Sequence, residues 1–567
     1  MNTEHDDSWK RWADMVAKTI GDGWEDLIRL TEDGLEVQPI YPAHAISAYP
    51  AFTGAGWLMA QYVADDTATA LLNRSMLDEL EGGTNMIMFP LIVAAEMTAS
   101  HMPDILDGVY TNACQFGYPH GGDAVKLAAI WAEYAKRCDD KGQSLKVHLG
   151  ADPVADIMFD RFDHVDTNDQ VAALARWQTC HQSDLPDIRC FAAGGDAYHR
   201  YGLTDAQELG LCLASLVWQW RILEESGLSP EQAISGSVMR IAVTADLYSA
   251  LSKTRAARIL LNQISAVMDN DKTPLLHGFT SDRMMTRIEP VNNVLRHVTA
   301  SLGTALGGAE LITTLPHDWL SGSTGMSRRL ARNLQLIMRD EARIDQVADP
   351  AHGARTLEAM SQSLAQKAWQ IFQKIERAGG AMTVATSSLL SDWAKTASES
   401  RQADMDNRHH GMLGINHHPQ QPTDPLPPLI MECGHPRGGM VRPAQPWEDM
   451  RLAAYDKGFR CLILNNGDSD KTLIARWADE LRMAGIQMAD IRIANTKEAR
   501  AQIATAKPHL LVASHAVLSM LTDDGMEKIS IPSVPLDADG KARRQMIMAV
   551  IESDGWGYRD EQNTRFS

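Results

Sequence analysis

The sequence predicts an α/β protein built on a parallel (β/α)8 TIM-like barrel, with a short arm before it and a smaller α/β unit after it. Three observations predict this. The 567 residues exceed what one ordinary core organises, so two or more domains are expected. Between about residues 41 and 398, short apolar strands alternate with amphipathic helices, the sequence sign of a parallel barrel. Beyond residue 428 a second, shorter alternation begins. The order alone does not separate a closed barrel from an open doubly wound sheet.

Residues 1–40 read as an arm: a helix over 9–20, a turn over 31–35, and an extended stretch over 37–41. In the barrel region (41–398) candidate strands are 85–90, 108–112, 145–149, 188–193, 240–244, 274–278 and 310–314, with a weaker eighth near 346–348. The helices carry start and stop chemistry. Thr204 followed by Gln207 makes a capping box, in which the hydroxyl satisfies a free N–H of the first turn. Leu209, Leu213, Leu216, Trp220 and Leu223 continue that helix at three-to-four spacing, and Gly227 closes it. Ser229-Pro230 opens the next, with proline where it loses no hydrogen bond. From 399 to 428 the pattern gives way to polar residues and then to Pro419, Pro422, Pro425, Pro427 and Pro428, which predict a stiff linker. The second unit (429–567) predicts strands at 459–464, 486–493 and 510–514, with helices at 472–484 and 497–506, a flavodoxin-like arrangement.

Composition limits the function. A hydrophobic fraction of 44% and a charged fraction of 22% suit a soluble globular chain. A net charge of −20 repels phosphate backbones, so no nucleic-acid partner is expected, although a local basic pocket for a small anionic ligand can coexist with such a surface. Seven scattered cysteines without a CxxC pair predict neither a disulfide framework nor a zinc knuckle and suit a reducing cytoplasm. Residues 1–10 are polar, without the apolar centre of a signal sequence, and no apolar run approaches the ~20 residues of a membrane span. A cytoplasmic protein with no membrane association is expected. The 28 methionines read as adaptable core filler.

Several separated segments resemble the methylmalonyl-CoA mutase family. Lys253-Thr254-Arg255-Ala256-Ala257-Arg258 is similar to the family's KMRAGRR turn, and Glu289-Pro290-Val291-Asn292-Asn293-Val294-Leu295-Arg296 to its DPYNNIVR helix start. Gly307-Gly308-Ala309-Glu310 stands in the place of GGTQ. Arg329-Leu330-Ala331-Arg332-Asn333-Leu334-Gln335-Leu336-Ile337 resembles RIARNTQII. Val347-Ala348-Asp349-Pro350-Ala351-His352-Gly353 resembles VADPWGG, and Gly414-Ile415-Asn416 the GVN after the barrel. Order and spacing are compatible over about residues 200–416; the N-terminal part is similar more loosely and the C-terminal unit mainly in topology.

The resemblance implies a 1,2-shift between methylmalonyl-CoA and succinyl-CoA through radicals from adenosylcobalamin. In the family CoA threads the barrel axis and the cobalamin lies between barrel and C-terminal domain, ligated by the histidine of a DxHxxG loop. In this sequence Asp468, Asp470 and Leu473 take the places of Asp, His and Gly, a degenerate cobalamin-binding loop without imidazole. Carboxylate is a poor substitute for imidazole on this cobalt, and leucine crowds a backbone that glycine leaves open. No cofactor binding to this chain is therefore expected, nor any other metal site. The pairs His409-His410 and His417-His418 read as a solvated loop.

The resemblance also matches Tyr62 to a radical-guarding tyrosine, Tyr198-His199 to a pair contacting the thioester carbonyl, and His277 to the histidine of RAHCQTSG. Phe279 stands where that motif has glutamine, and Ala55 and Gly56 where an arginine and a proline precede the tyrosine segment. No counterpart of the family's MVRNTYIFPP segment, with its carboxylate-binding arginine, is found between Leu149 and Asp187. Such an arginine contributes a charge-assisted contact of roughly 1.5–3 kcal/mol. Tyr62, His199 and His277 are accordingly read as relics, with no catalytic residue expected. Lys253, Arg255 and Arg258 read either as a CoA-phosphate grip or as an exposed basic helix start.

A near-complete scaffold with eroded chemistry implies the small, non-catalytic subunit of a heterodimeric mutase. Its partner would be a large subunit holding adenosylcobalamin and the acyl-CoA substrate. Two alternatives remain: an acyl-CoA mutase barrel that uses cobalamin carried on a separate protein, and a scaffold for another assembly component without a turnover role.

Overall fold

The computed structural model describes residues 3–418, except 21–23, 42–48, 53, 55, 66, 139–144 and 161–163. Further on it describes 442–454, 460–465, 477, 481, 486–492, 498, 501–503, 505, 510–513, 533–535 and 540–552. Two compact units emerge. The first comprises described residues of 1–285 and 293–397, and the second those of 286–292, 398–418 and 442–552.

The first unit opens with the helix Thr3–Ile20 and a small antiparallel hairpin, β1 (Arg29–Leu30) with β2 (Glu36–Val37). Eight parallel strands then form a closed barrel. They are β3 (Leu58–Tyr62), β4 (Met86–Met88), β5 (Gln115–Gly117), β6 (Lys146–Ala151), β7 (Ile188–Gly194), β8 (Val238–Val243), β9 (Leu275–Thr280) and β10 (Leu311–Thr313). Closure is the pairing of β10 with β3, Leu311 opposite Leu58. Closure removes the exposed edges that an open sheet would leave for stray pairing.

The predicted helix signals operate as read. Thr204 and Gln207 form both halves of a capping box at the head of the helix Asp205–Glu225, and Ser229-Pro230 opens Pro230–Ser235, where Gln232 completes a further capping box that was not anticipated. The helix Asp205–Glu225 is buried along most of its length because it lies between β7, β8 and the outer helix Arg355–Arg377. Gly210 permits that close approach: a Cβ there would meet Ala368 O at 2.9 Å and Ile371 Cγ2 at 2.7 Å. Fully buried Leu213 and Leu216, with Trp220, each contribute about 1.5–3 kcal/mol by leaving water.

Two strand expectations are corrected. Residues 108–112 form turns, with Gly108 at φ +73° and Tyr110 82% exposed, and the strand is the next apolar stretch, β5. The weak strand near 346–348 does not exist; Ile344–Gln346 is one 3-10 turn and Val347 is exposed, so no apolar face is available to bury. The eighth strand is instead β3, the segment singled out only for Tyr62. The other strand expectations fall on β4, β6, β7, β8, β9 and β10 with ends shifted by a few residues.

The polar stretch after residue 398 is ordered further than its composition implied. The helix Leu389–Asp406 runs into it, and Met405, Met412 and Ile415 are buried in the core of the second unit. The proline-rich run itself lies outside the described residues. The second unit holds four parallel strands in the order β12-β11-β13-β14: β11 (Arg460–Asn465), β12 (Gln487–Arg492), β13 (Leu510–Ala513) and β14 (Ser533–Pro535). Its core gathers Ile288, Trp447, Met450, Ile463, Trp477 and Val512. Buried Glu448 accepts from Arg287 N and Nε at 2.8 and 2.9 Å and from Arg442 Nη2 at 2.7 Å. Most of the predicted helices 472–484 and 497–506 lies outside the described residues.

Candidate functional site

The barrel interior collects the residues that sequence motifs spread over 250 positions. Successive side chains along a strand alternate between faces. On β5, Phe116 packs outward on Trp131 of the helix Ala124–Ala135, so Gly117 faces inward; a Cβ there would meet Met86 and Met88. Those two methionines fill space as adaptable apolar side chains do. His277 stands beside Arg240 in the β8–β9 register, and Phe279 lies two residues on, its ring 4.2 Å from the imidazole. The Arg240 guanidinium sits over the Phe279 ring at 5.6 Å. His277 Nε2 bonds Thr313 Oγ1 at 2.8 Å on β10. Burial, then the positive field of Arg240 and the nearby His148, holds His277 well below the usual imidazole range. It is a neutral ring.

His199 occupies a separate buried cluster at the C-terminal end of β7, in the short helix Gly195–Tyr201. Its Nε2 bonds Ser281 Oγ at 2.9 Å, and its Nδ1 lies 3.2 Å from Glu208 Oε2. Lys253 Nζ donates to Glu208 Oε2 at 2.6 Å and to Asp205 Oδ1 at 2.7 Å. Glu208 Oε1 also accepts from Ala242 N of β8 at 3.0 Å. Burial drags the Lys253 ammonium down, but the two carboxylates outweigh it and hold it above its ordinary value. His199, Asp205 and Glu208 have the proximity of a metal site. The ammonium of Lys253 already supplies the positive charge that a cation would bring. Tyr198, next to His199, gives its hydroxyl to Asp152 at 3.0 Å. Tyr62 packs its ring against Trp319 at 4.9 Å.

Neither reading of the basic turn survives. Lys253, Arg255 and Arg258 are buried within the helix Leu247–Val267, with exposures of 1%, 0% and 7%. Arg255 pairs with Asp349 Oδ1 and, at 2.8 Å, with Glu358 Oε1. Arg258 donates to Gly308 O at 3.1 Å and pairs with Glu310. These cations hold the barrel's helices and loops together. Their charge looked exposed in the sequence because the acids that neutralise them lie up to 103 positions away.

Sequence reasoning missed Arg240, His148, Glu208 and Thr313 as neighbours of the matched residues. A signal existed for two of them: a lone arginine in Val238-Met239-Arg240-Ile241-Ala242-Val243 and a lone histidine in Val147-His148-Leu149. A charged or polar residue inside an apolar strand faces a special environment.

In the second unit β11 ends at Asn465, and Asp468, Asp470 and Leu473 lie outside the described residues. Between β11 and β12 the chain contains neither histidine nor cysteine, so this turn does not fit the imidazole-ligated cobalt of the family resemblance.

A model of the family described as methylmalonyl-CoA mutase matches residues 93–434, more than half of the chain. The chain belongs to the methylmalonyl-CoA mutase family. Among its relatives, the methylmalonyl-CoA mutase small subunit of Streptomyces virginiae is 30% identical over 474 residues, which cover 78% of this chain and 75% of that one. The small subunit from Propionibacterium freudenreichii subsp. shermanii is 29% identical over 324 residues, 56% of this chain and 49% of that one. The methylmalonyl-CoA mutase of Rhizobium meliloti is 22% identical over 478 residues, 76% and 67% of the two chains. Among the described residues no helix is long and apolar enough to cross a membrane.

Proposed function

We propose that this mutase-family chain is the small, non-catalytic subunit of a heterodimeric, adenosylcobalamin-dependent methylmalonyl-CoA mutase, and that it stabilises a catalytic large subunit in the cytoplasm. The partner then holds the cobalamin and the acyl-CoA and interconverts methylmalonyl-CoA and succinyl-CoA. The observation that carries this reading is the state of the matched side chains. His199 lies between Ser281 and the Glu208–Lys253 pair, while His277 bonds Thr313 through Nε2 against a phenylalanine that stands in the glutamine's place. A general acid needs a proton it can release towards a substrate. His277, held neutral, and His199, bonded to Ser281 through Nε2 and facing the buried Glu208–Lys253 pair, are poorly placed for that work. Relatives bearing the small-subunit name support the same reading, as does the histidine-free turn after β11.

The second reading, a barrel that isomerises an acyl-CoA with cobalamin delivered separately, draws only on the presence of Tyr62, His199 and His277. The two part on a reconstitution assay. The chain is assayed alone and mixed with a cobalamin-loaded large subunit, as wild type and as His199→Ala and His277→Ala. Turnover that requires the partner and is indifferent to both substitutions agrees with the first reading. Turnover lost in folded variants goes to the second.

A further inference from the structure

We propose that the barrel axis is an anion site: Arg240, with His277 and His148 beside it, binds one small monoanion, a halide or a short carboxylate. No motif of the family resemblance assigns Arg240 a role, and the proposal does not depend on which subunit performs the chemistry.

Arg240 stands on β8 yet its Nη2 donates to Tyr118 O, just beyond β5, at 2.6 Å. Strands β5 and β8 are not neighbours, so the side chain crosses the interior. The seat is shaped for it: Gly150 on β6 has φ +72°, and a Cβ there would stand 2.9 Å from Nη2 and 2.4 Å from Tyr118 O. The guanidinium is 1% exposed and carries a positive charge. Its contacts are a neutral carbonyl and the face of Phe279. No carboxylate among the described residues forms an ion pair with it, whereas Arg255, Arg287 and Lys253, also buried, each have one. Asp152, on the same end of β6, is committed elsewhere, accepting from Gly194 N at 2.7 Å and Tyr198 Oη at 3.0 Å.

A buried charge without a counter-charge is among the most unfavourable arrangements a core can contain. Arg240 Nε and Nη1 have no hydrogen-bond partner, nor do Nδ1 of His277 and of His148. Two guanidinium N–H groups thus lack an acceptor, and each flanking imidazole adds a donor in the tautomer that carries its proton on Nδ1. Burial and neighbouring arginines keep both imidazoles neutral, so the excess charge among these three side chains is that of Arg240 alone. That sets the ligand's charge at one. Arg240, His277 and Phe279 are all at most 4% exposed, so a ligand there is removed from solvent and has to be small.

The test is thermal unfolding of the full chain against chloride, formate and acetate, at constant ionic strength held with a bulky sulfonate. Wild type should gain a saturable rise of about 2–4 °C, as a ligand bound only by the folded state produces. Arg240→Met should lose it. A response to chloride alone identifies a halide site, and one to formate and acetate alone a carboxylate site; both support the proposal. Equal responses of the two proteins, or a wild-type response that never saturates, overturn it. Should Arg240→Met not accumulate as folded protein, bromide-soaked crystals of the unaltered chain decide. An anomalous peak, or formate density in a parallel formate soak, within hydrogen-bond distance of Arg240 Nη1 upholds the site, and its absence from both soaks rejects it.

Discussion

Replacing Arg255 with methionine distinguishes a structural tie from a grip on substrate phosphate. The guanidinium is fully buried and joins Asp349 to Glu358, with the ring of Phe52 stacked over it at 5.1 Å. Those carboxylates in turn hold the chain entering the barrel: Asp349 accepts from Phe52 N at 3.3 Å, and Glu358 from Tyr49 N and Gly353 N, both at 3.1 Å. Methionine matches much of the stem's volume but leaves two acids buried without a cation. Breaking a buried pair in this way costs about 3–5 kcal/mol. The backbone donors that remain favour the lower end of that range. For a unit of this size such a loss lowers Tm by roughly 4–7 °C. Adding Glu358→Gln should recover about 1–3 kcal/mol, since the second acid is then no longer stranded. Thermal unfolding of wild type and the two variants, with hydrogen exchange at residues 49–52, reads both effects. Unchanged Tm together with lost CoA affinity in Arg255→Met would refute the structural account.

Asp33 supplies a pH test. Burial and then Asp205 push its carboxyl up to about 6, against the pull of Thr204 and Ala206. A folded value above the ordinary 3.8 means that its contribution is complete below that pH and fades as pH rises through 6. Tm should therefore decline from pH 4 to 7 by a part worth about 1–2 kcal/mol that Asp33→Asn abolishes; parallel profiles would remove Asp33 from the explanation. Phe279→Gln restores the family's residue but removes the buried ring that packs on His277 and lies under Arg240. It should destabilise the barrel by about 2–4 kcal/mol and confer no mutase activity on the isolated chain, and any turnover counts against relic status. Dialysis against EDTA should move Tm by less than about 1 °C, because Lys253 occupies the one cluster with metal-like spacing among the described residues; a larger fall would reveal an ion.

Much of the scaffold was legible because its signals are local. Thr204–Gln207 and Ser229-Pro230 set helix starts within four residues, and the apolar runs of β7 and β9 announce themselves. One short strand failed for the same reason: β5 spans three residues, too few to show a period, and a nearby turn with Val109 and Tyr110 imitated it. The site was harder to read. That Lys253 is neutralised by Asp205 and Glu208 depends on two helices meeting 45 or more positions apart in the chain. The pairing of His277 with Arg240 needs the β8–β9 register, which no spacing rule supplies. Composition also underrated residues 399–416, where a polar surface hides the buried series Met405, Met412 and Ile415.

The central claim is that this chain supports a cobalamin enzyme without holding the cobalamin. Corrinoid content after saturation with adenosylcobalamin and gel filtration tests it most directly, on the chain alone and on its complex with a large mutase subunit. The account predicts a colourless isolated chain and one corrinoid per pair. Stoichiometric corrinoid on the isolated chain, or two per pair, would contradict it.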